Sequence, residues 1–333
     1  MALWTDIIEP AELTGYMRAS LEDYEISQGS LAQWLPNETV PDISARFWKG
    51  EAGLVDEARF RSYDAEIEIG GGAKEERVTI DLPAVGLKNV VSEYRQLKLR
   101  NAPEEAMRNS ILKEADRIVH GVADRIERTR GVVLNTGRAT ISQSNFKIDD
   151  DFGRDSALTL TAPALWSETD TDALGQLDTW RQLYVDKNGE EPGAILMSRR
   201  ALSALSRLAQ FKPVLSGTGQ RPATQADVLA LLDAYGLPPV SLYNRRTKTG
   251  PVLPDDRVLM LPSAGANQLG ATYWGETLSS AEETYGIAVE DAPGLVAAVY
   301  RGEQPPHIAE VLCDAIALPV LANANLSLSA KVL

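Results

Sequence analysis

Residues 59–82, RFRSYDAEIEIGGGAKEERVTIDL, and residues 102–130, APEEAMRNSILKEADRIVHGVADRIERTR, decide how this chain is read. In the first stretch Tyr63, Ala65, Ile67 and Ile69 alternate with Asp64, Glu66 and Glu68. After Gly70-Gly71-Gly72, Val78, Ile80 and Leu82 alternate with Arg77, Thr79 and Asp81. Period-two alternation predicts two half-buried strands folded into a hairpin. The second stretch predicts one long helix. Ile111, Ala115, Ile118, Val122 and Ile126 form an apolar stripe among charges. Asn101 is placed to cap its start with Glu104 as capping-box partner, Pro103 is tolerated in the first turn, and Gly131 is placed to close its end. At 1.5 Å per residue such a helix spans roughly 40 Å. An isolated hairpin is marginal in water because two strands bury too little apolar surface. A reaching hairpin beside a long helix therefore reads as a subunit that lies across its neighbours.

Working outward, residues 1–48 read as an extended arm with one short helix carrying Leu13, Met17 and Leu21. Trp34, Pro36, Val40, Pro41, Phe47 and Trp48 follow without regular period. They fit either docking on other surfaces or a strap over the chain's own core. Beyond the long helix, residues 132–135, 139–142 and 157–161 read as strands, with Asp149-Asp150-Asp151 in a solvated acidic loop. From near Trp166 a lobe of alternating helices and strands follows, α+β or α/β in character. It includes a helix with Leu174, Leu177, Trp180 and Leu183, and a buried strand at residues 193–197. Ser198 is placed to cap a helix carrying Leu202, Leu205 and Leu208. A further helix runs from Thr224 to Tyr235, and strands are expected at residues 240–243 and 257–261. From Leu295 the chain is strand-rich again, so the first domain is expected to be discontinuous.

The chain has 333 residues, a formal net charge of −14, 44% hydrophobic residues and one cysteine. No apolar run approaches the roughly 18 residues of a membrane span, and the acidic N-terminus does not read as a secretory signal. A single cysteine, Cys313, forms no intrachain disulfide framework, which fits a reducing compartment. An acidic surface opposes sequence-reading contact with nucleic-acid phosphates at long range. It is compatible with an inner wall that does not stick to enclosed DNA.

Catalytic chemistry is thinly represented. His120, His307 and Cys313 are the chain's only histidines and cysteine, and their spacing matches no nucleophile pair. No GxSxG, HExxH or CxxC occurs. Gly70-Gly71-Gly72 leads into a strand rather than a helix N-terminus, and Ser216-Gly217-Thr218-Gly219-Gln220 lacks the Gly-Lys-Ser/Thr of a phosphate loop. Asp149-Asp150-Asp151 lacks the spaced ligands of a calcium loop. Lys74 at the hairpin tip reads as a solubilising residue that could also reach a neighbour. No catalytic, cofactor-binding or metal-binding residue is expected, and no cofactor.

The order of these elements resembles the major capsid proteins of tailed double-stranded-DNA bacteriophages, the lambda-type (major capsid protein E) branch with the Hong Kong 97 phage fold. The resemblance is carried by several segments in collinear order. Residues 82–99, opening Leu82-Pro83-Ala84-Val85-Gly86, resemble the return from an extended loop into a spine helix, and 104–131 resembles that helix. Residues 132–161 are similar to peripheral-domain strands with an Asp-rich turn, and 193–198 resembles the strand before an axial-domain helix. Leu253-Pro254-Asp255-Asp256, Leu269–Gly275 and the closing strand at 315–333 complete the order. The resemblance implies an α+β fold with five parts. These are an N-terminal arm (1–49), an extended hairpin loop (50–98), a peripheral domain with spine helix (99–165), an axial domain (166–294) and a return to the peripheral domain (295–333).

It also implies a head protein that self-assembles into hexamers and pentamers of an icosahedral shell around double-stranded DNA, without sequence-specific binding. That shell would be part of the virion and would assemble in the host bacterial cytoplasm. Expected partners are further copies of itself, a maturation protease, a portal and a decoration protein. The chain shows no long charged helical segment ahead of the arm, so a separate scaffolding protein is expected. The lysine–asparagine crosslinking of one branch is not carried over to Lys74. Tyr63, Ile67, Ile69, Val78, Ile80, Trp34 and Trp48 are the expected inter-subunit contacts, and Gly121 the point where the spine helix flexes. Two other readings stay open: an encapsulin-like cellular compartment on the same fold, and a soluble enzyme with an unrecognised site.

Overall fold

The computed structural model describes residues 1–49, 76–99, 101, 103–143, 146–168, 170–211, 223–266 and 268–333. These form two compact units, each built from three chain segments. One comprises Met1–Arg46, Thr79–Arg130 and Ala271–Val320; the other comprises Phe47–Val78, Gly131–Gly270 and Leu321–Leu333. Six helices are described: α1 (Pro10–Gln28), α2 (Glu93–Leu99), α3 (Glu104–Thr136), α4 (Ala173–Asn188), α5 (Arg199–Leu205) and α6 (Gln225–Ala234).

The first unit is organised on the Ala309–Leu321 strand. It pairs antiparallel with Val296–Arg301 on one side and with Ala84–Val91 on the other. Val311, Cys313 and Ala315 alternate inward from this strand and meet the apolar faces of α1 and α3 in one core. Leu13 and Met17 come from α1; Ile111, Ala115, Ile118, Val122 and Ile126 come from α3. The expected stripe is therefore buried as read, widened by Val119 and Ala123. Within the N-terminal segment, α1 is 19 residues long and packs on this core, with Leu13 and Met17 fully buried.

The second unit carries a five-stranded sheet in the order Val240–Leu242, Ala194–Met197, Arg257–Leu261, Leu328–Lys331, Thr159–Thr161. The closing strand, Leu328–Lys331, pairs with Arg257–Leu261 and Thr159–Thr161, so the chain end returns to the lobe's interior. Ser198 caps α5 by accepting from the Ala201 amide at 3.0 Å. Thr224 and Asp227 form a reciprocal capping box on α6. Residues 131–165 and 321–333 group with this lobe, and 271–294 with the first unit, so the compact units cut the chain elsewhere than the five-part division.

Several expectations are corrected. The long helix starts at Glu104, too late for Asn101 to cap it, and the Ala106 amide instead donates to the Pro103 carbonyl at 2.8 Å. It does not stop at Gly131 but continues to Thr136, so residues 132–135 are helix, not strand. The stop is Gly137, at φ 71°, whose amide donates to the Val133 carbonyl at 2.8 Å; a left-handed glycine there is the ordinary helix terminator. Val133 and Leu134 are fully buried, and that burial outweighs the small β preference of the valines. Gly131 has a different task. A Cβ there would lie 2.5 Å from the Val252 carbonyl oxygen, so the glycine lets a loop backbone lie against the helix.

Asp149–Asp151 lies in a strand, Phe146–Asp151, paired antiparallel with Arg138–Gln143. Asp149 and Asp151 share a face at i, i+2 and flank Arg138, at 3.0 and 3.2 Å. That neutralisation is why three consecutive acids tolerate a strand. Among the described residues, Glu76–Asp81 pairs with Ser44–Lys49. The expected first strand, with Tyr63, Ile67 and Ile69, and the tip with Lys74 lie outside the described residues.

Gly131 gives a direct test. Glycine-to-alanine in a helix interior normally gains about 1 kcal/mol. Here the new methyl meets backbone rather than a movable side chain, and overpacking of this kind costs about 1–3 kcal/mol. Gly131→Ala is expected to lower stability in urea unfolding. A gain equal to the helix propensity would show that the Val252 loop gives way freely.

Candidate functional site

The chemistry-bearing residues lie apart from one another and make local contacts. His120 stacks on Tyr24 with ring centroids 4.0 Å apart. His307 Nδ1 lies 2.9 Å from the Gly302 carbonyl. Burial, with the Asp314 charge beside it, pushes the Cys313 thiol up to about 12, so it stays protonated and unreactive at neutral pH. Among the described residues no group of three or more His, Cys, Asp or Glu is placed to hold a metal ion, and no helix is long and apolar enough to cross a membrane.

The expected contact residues fare differently. Trp48 is 59% exposed on the Ser44–Lys49 strand, a large ring presented to solvent. Val78 is half-buried. Trp34, at 3% exposure, and Ile80, at 9%, are buried in their own chain, which leaves no ring or side-chain surface there for a neighbour. Period-two alternation assigned Ile80 to an apolar face but could not say which chain covers it.

The principal polar feature of the first unit was not singled out in the sequence. Arg130, fully buried on α3, donates from Nε to Thr272 Oγ1 at 2.9 Å. Its Nη1 reaches Glu25 Oε1 at 2.5 Å, Ser30 Oγ at 3.0 Å and Glu127 Oε2 at 3.0 Å, and its Nη2 reaches Asn37. Glu127, also fully buried, accepts from the Leu31 amide at 2.7 Å and from Ser30 Oγ at 2.8 Å. One guanidinium thus ties α1, the segment 30–37 and the Gly270–Gly275 strand to the long helix. A signal existed: Ile118, Val122 and Ile126 repeat every four residues, and the next position on the stripe is Arg130. A charge on the buried stripe demands buried partners.

Lower on the helix, Glu114 receives Arg95 at 2.7 Å and Arg117 at 2.8 Å. Burial raises its carboxyl, but the hydrogen bonds from the two arginines outweigh that and hold it below the usual value. These clusters fasten one subunit's elements together; none is arranged around a cleft for substrate.

The arrangement is a discontinuous two-unit fold with a long helix, a strand pair at 44–49 and 76–81, and charge used for internal fastening. A family model for phage major capsid protein E matches residues 49–332. The chain belongs to the phage major capsid protein E family. It is a major capsid protein, an icosahedral shell subunit of the virion, and its role is structural. The fold is the Hong Kong 97-like phage capsid fold. A protein assigned as a prophage capsid protein of Escherichia coli CFT073 superposes with a TM-score of 0.62 at 14% identity, covering 96% of this chain and 99% of that one. A phage-related protein from Bordetella bronchiseptica gives 0.54 at 14%, over 99% and 98%. A virus-like particle from Pyrococcus furiosus gives 0.51 at 11%, over 96% and 100%. At these identities the likeness is one of fold. No curated protein matches the capsid chain by sequence.

Proposed function

We propose that this capsid protein assembles as hexamers and pentamers that close a shell around packaged double-stranded DNA, held without sequence preference. The family match across residues 49–332 supports this reading. A net charge of −14 suits it, because an acidic wall does not retain the phosphate backbone. Assembly takes place in the host bacterial cytoplasm with a separate scaffolding protein, a maturation protease, a portal and a decoration protein. The loop 50–75 overlaps the adjacent subunit through Tyr63, Ile67 and Ile69, with Trp48 and Val78 at its root. Residues 166–294 serve as the axial domain; 99–165 and 295–333 serve as the peripheral domain. Negative-stain microscopy with light scattering tests the reading on the purified chain, alone and co-expressed with its flanking genes. Closed shells, or rings of five and six, are expected. A small uniform oligomer under both conditions would overturn it.

The long helix flexes at Gly121 as the shell expands, in the same proposal. A Cβ at Gly121 would lie 2.9 Å from Leu87 Cδ2, the far end of an exposed side chain, so the site accepts alanine. Gly121→Ala is expected to raise subunit stability by up to about 1 kcal/mol while slowing shell expansion. Expansion at the parental rate, with unchanged helix curvature, would remove Gly121 from this role.

A further inference from the structure

Two exposed apolar surfaces on the first unit carry complementary charged groups. One is the segment 84–99, where Lys88 pairs with Glu310 and Arg95 with Glu114 inside the subunit, so that Lys98 is the cation left to face a neighbour, beside Glu93. Tyr94 and Leu97, at i and i+3, share an outward face of α2, 68% and 57% exposed, and Val90 just before it is 51% exposed. Lys98 Nζ lies 4.6 Å over the Tyr94 ring, and among the described residues no carboxylate pairs with it. The face is rigidly presented: buried Gln96 donates to the Val91 and His307 carbonyls at 3.0 and 2.7 Å, and Arg95 is held by Glu114.

The other surface is the segment 276–291, with Glu276, Glu282, Glu283, Glu290 and Asp291 and no lysine or arginine. Buried Tyr285 pins it against Val296 and Ala298 and shares a 2.8 Å hydrogen bond with Tyr300. Leu278 and Val289 project from it, each 90% exposed. They are the most exposed large apolar side chains among the described residues.

We propose that these are the two halves of one contact between copies of this chain. The Val90, Tyr94 and Leu97 face of one subunit docks on Leu278 and Val289 of the next, with Lys98 meeting Glu282, Glu283 and Glu290. The proposal rests on the shell reading, which supplies the second copy. Charge decides the pairing. Two 276–291 surfaces would set five acids against five, whereas unlike patches gain attraction and register. A contact between unlike patches is heterologous and repeats from copy to copy.

The test is a charge swap scored by shell yield on gradients, with all variants co-expressed with the flanking genes and thermal melting run as a folding control. Lys98→Glu and, separately, the double variant Glu283→Lys/Glu290→Lys are each expected to lower shell yield about tenfold with unchanged melting. Combining all three should restore yield to within about twofold. Leu97→Ser probes the apolar half and should also lower yield. Parental yields from Lys98→Glu and Leu97→Ser, or losses that the combined variant does not recover, would overturn this interface while leaving the shell reading intact. A parent chain that never forms shells would overturn both.

Discussion

Arg130→Met is expected to destabilise the subunit by about 3–5 kcal/mol in urea unfolding, the cost of breaking a buried ion pair from one side. Arg130 is fully buried, donates to five partners, and faces two carboxylates, of which Glu127 is fully buried and Glu25 nearly so. Methionine fills much of the volume, so the loss measures charge and hydrogen bonding rather than a cavity. Glu127 would keep its bonds from Ser30 and the Leu31 amide but would lose its counter-charge. Adding Glu25→Gln to Arg130→Met should therefore recover part of the loss, because it removes one stranded charge. A loss below about 1 kcal/mol, or no recovery in the double variant, would show that the cluster is not the fastening described. Arg130→Lys is expected to fall between the two: one ammonium cannot reproduce a planar fork that serves several acceptors at once.

Replacing residues 50–75 with a short Gly-Ser turn is expected to reduce shell yield about a hundredfold or more while leaving subunit melting nearly unchanged. The flanking strands, Ser44–Lys49 and Glu76–Asp81, pair with each other, so a tight turn can close them. Among the described residues, the large helix–sheet core of the first unit draws on residues 4–24, 85–126 and 274–317, outside the replaced stretch. What would be lost is the Tyr63, Ile67 and Ile69 face proposed to overlap the neighbour. Each overlap is modest at about 25 cal/mol per Å² of apolar area, but a closed lattice multiplies it through effective concentration. Shells of normal number and size from this variant would remove the loop from assembly.

The unlike fates of Gly121 and Gly131 show what a sequence can and cannot display. Both are interior glycines of α3 ten residues apart, and nothing local separates them. Gly121 faces the tip of Leu87, which can move; Gly131 faces the backbone at Val252, which cannot. The second constraint comes from a residue more than a hundred positions away. Trp34 and Trp48 differ in the same manner: both lie in one aperiodic stretch of aromatics and prolines, yet one is buried at 3% and the other exposed at 59%.

The candidate contacts were only partly legible for the same reason. Alternation showed that Ile80 has an apolar face without showing that its own chain covers it. The exposed Tyr94 and Leu97 face could not be told from a core stripe, since both have helical spacing. Arg130 was visible as a charge on the apolar stripe, but its partners at Glu25, Ser30, Asn37 and Thr272 were not.

By itself the sequence determined the long amphipathic helix, the strand-rich character of the segment from Leu295, the cap at Ser198, the helix beginning at Thr224 and, through the collinear order of its segments, the capsid family. These are set by the 3.6- and 2-residue periods and by short-range hydrogen bonds within a few residues. Only the tertiary structure decided that α3 runs through Gly131 to Gly137, that Asp149 and Asp151 form a strand face around Arg138, that Glu76–Asp81 pairs with Ser44–Lys49, and that the final strand closes the distant lobe. Local propensities differ by only a few tenths of a kcal/mol per residue, whereas burying a valine or leucine side chain is worth about 1.5–3 kcal/mol. Partners brought together from opposite ends of the chain therefore overrule the local signal.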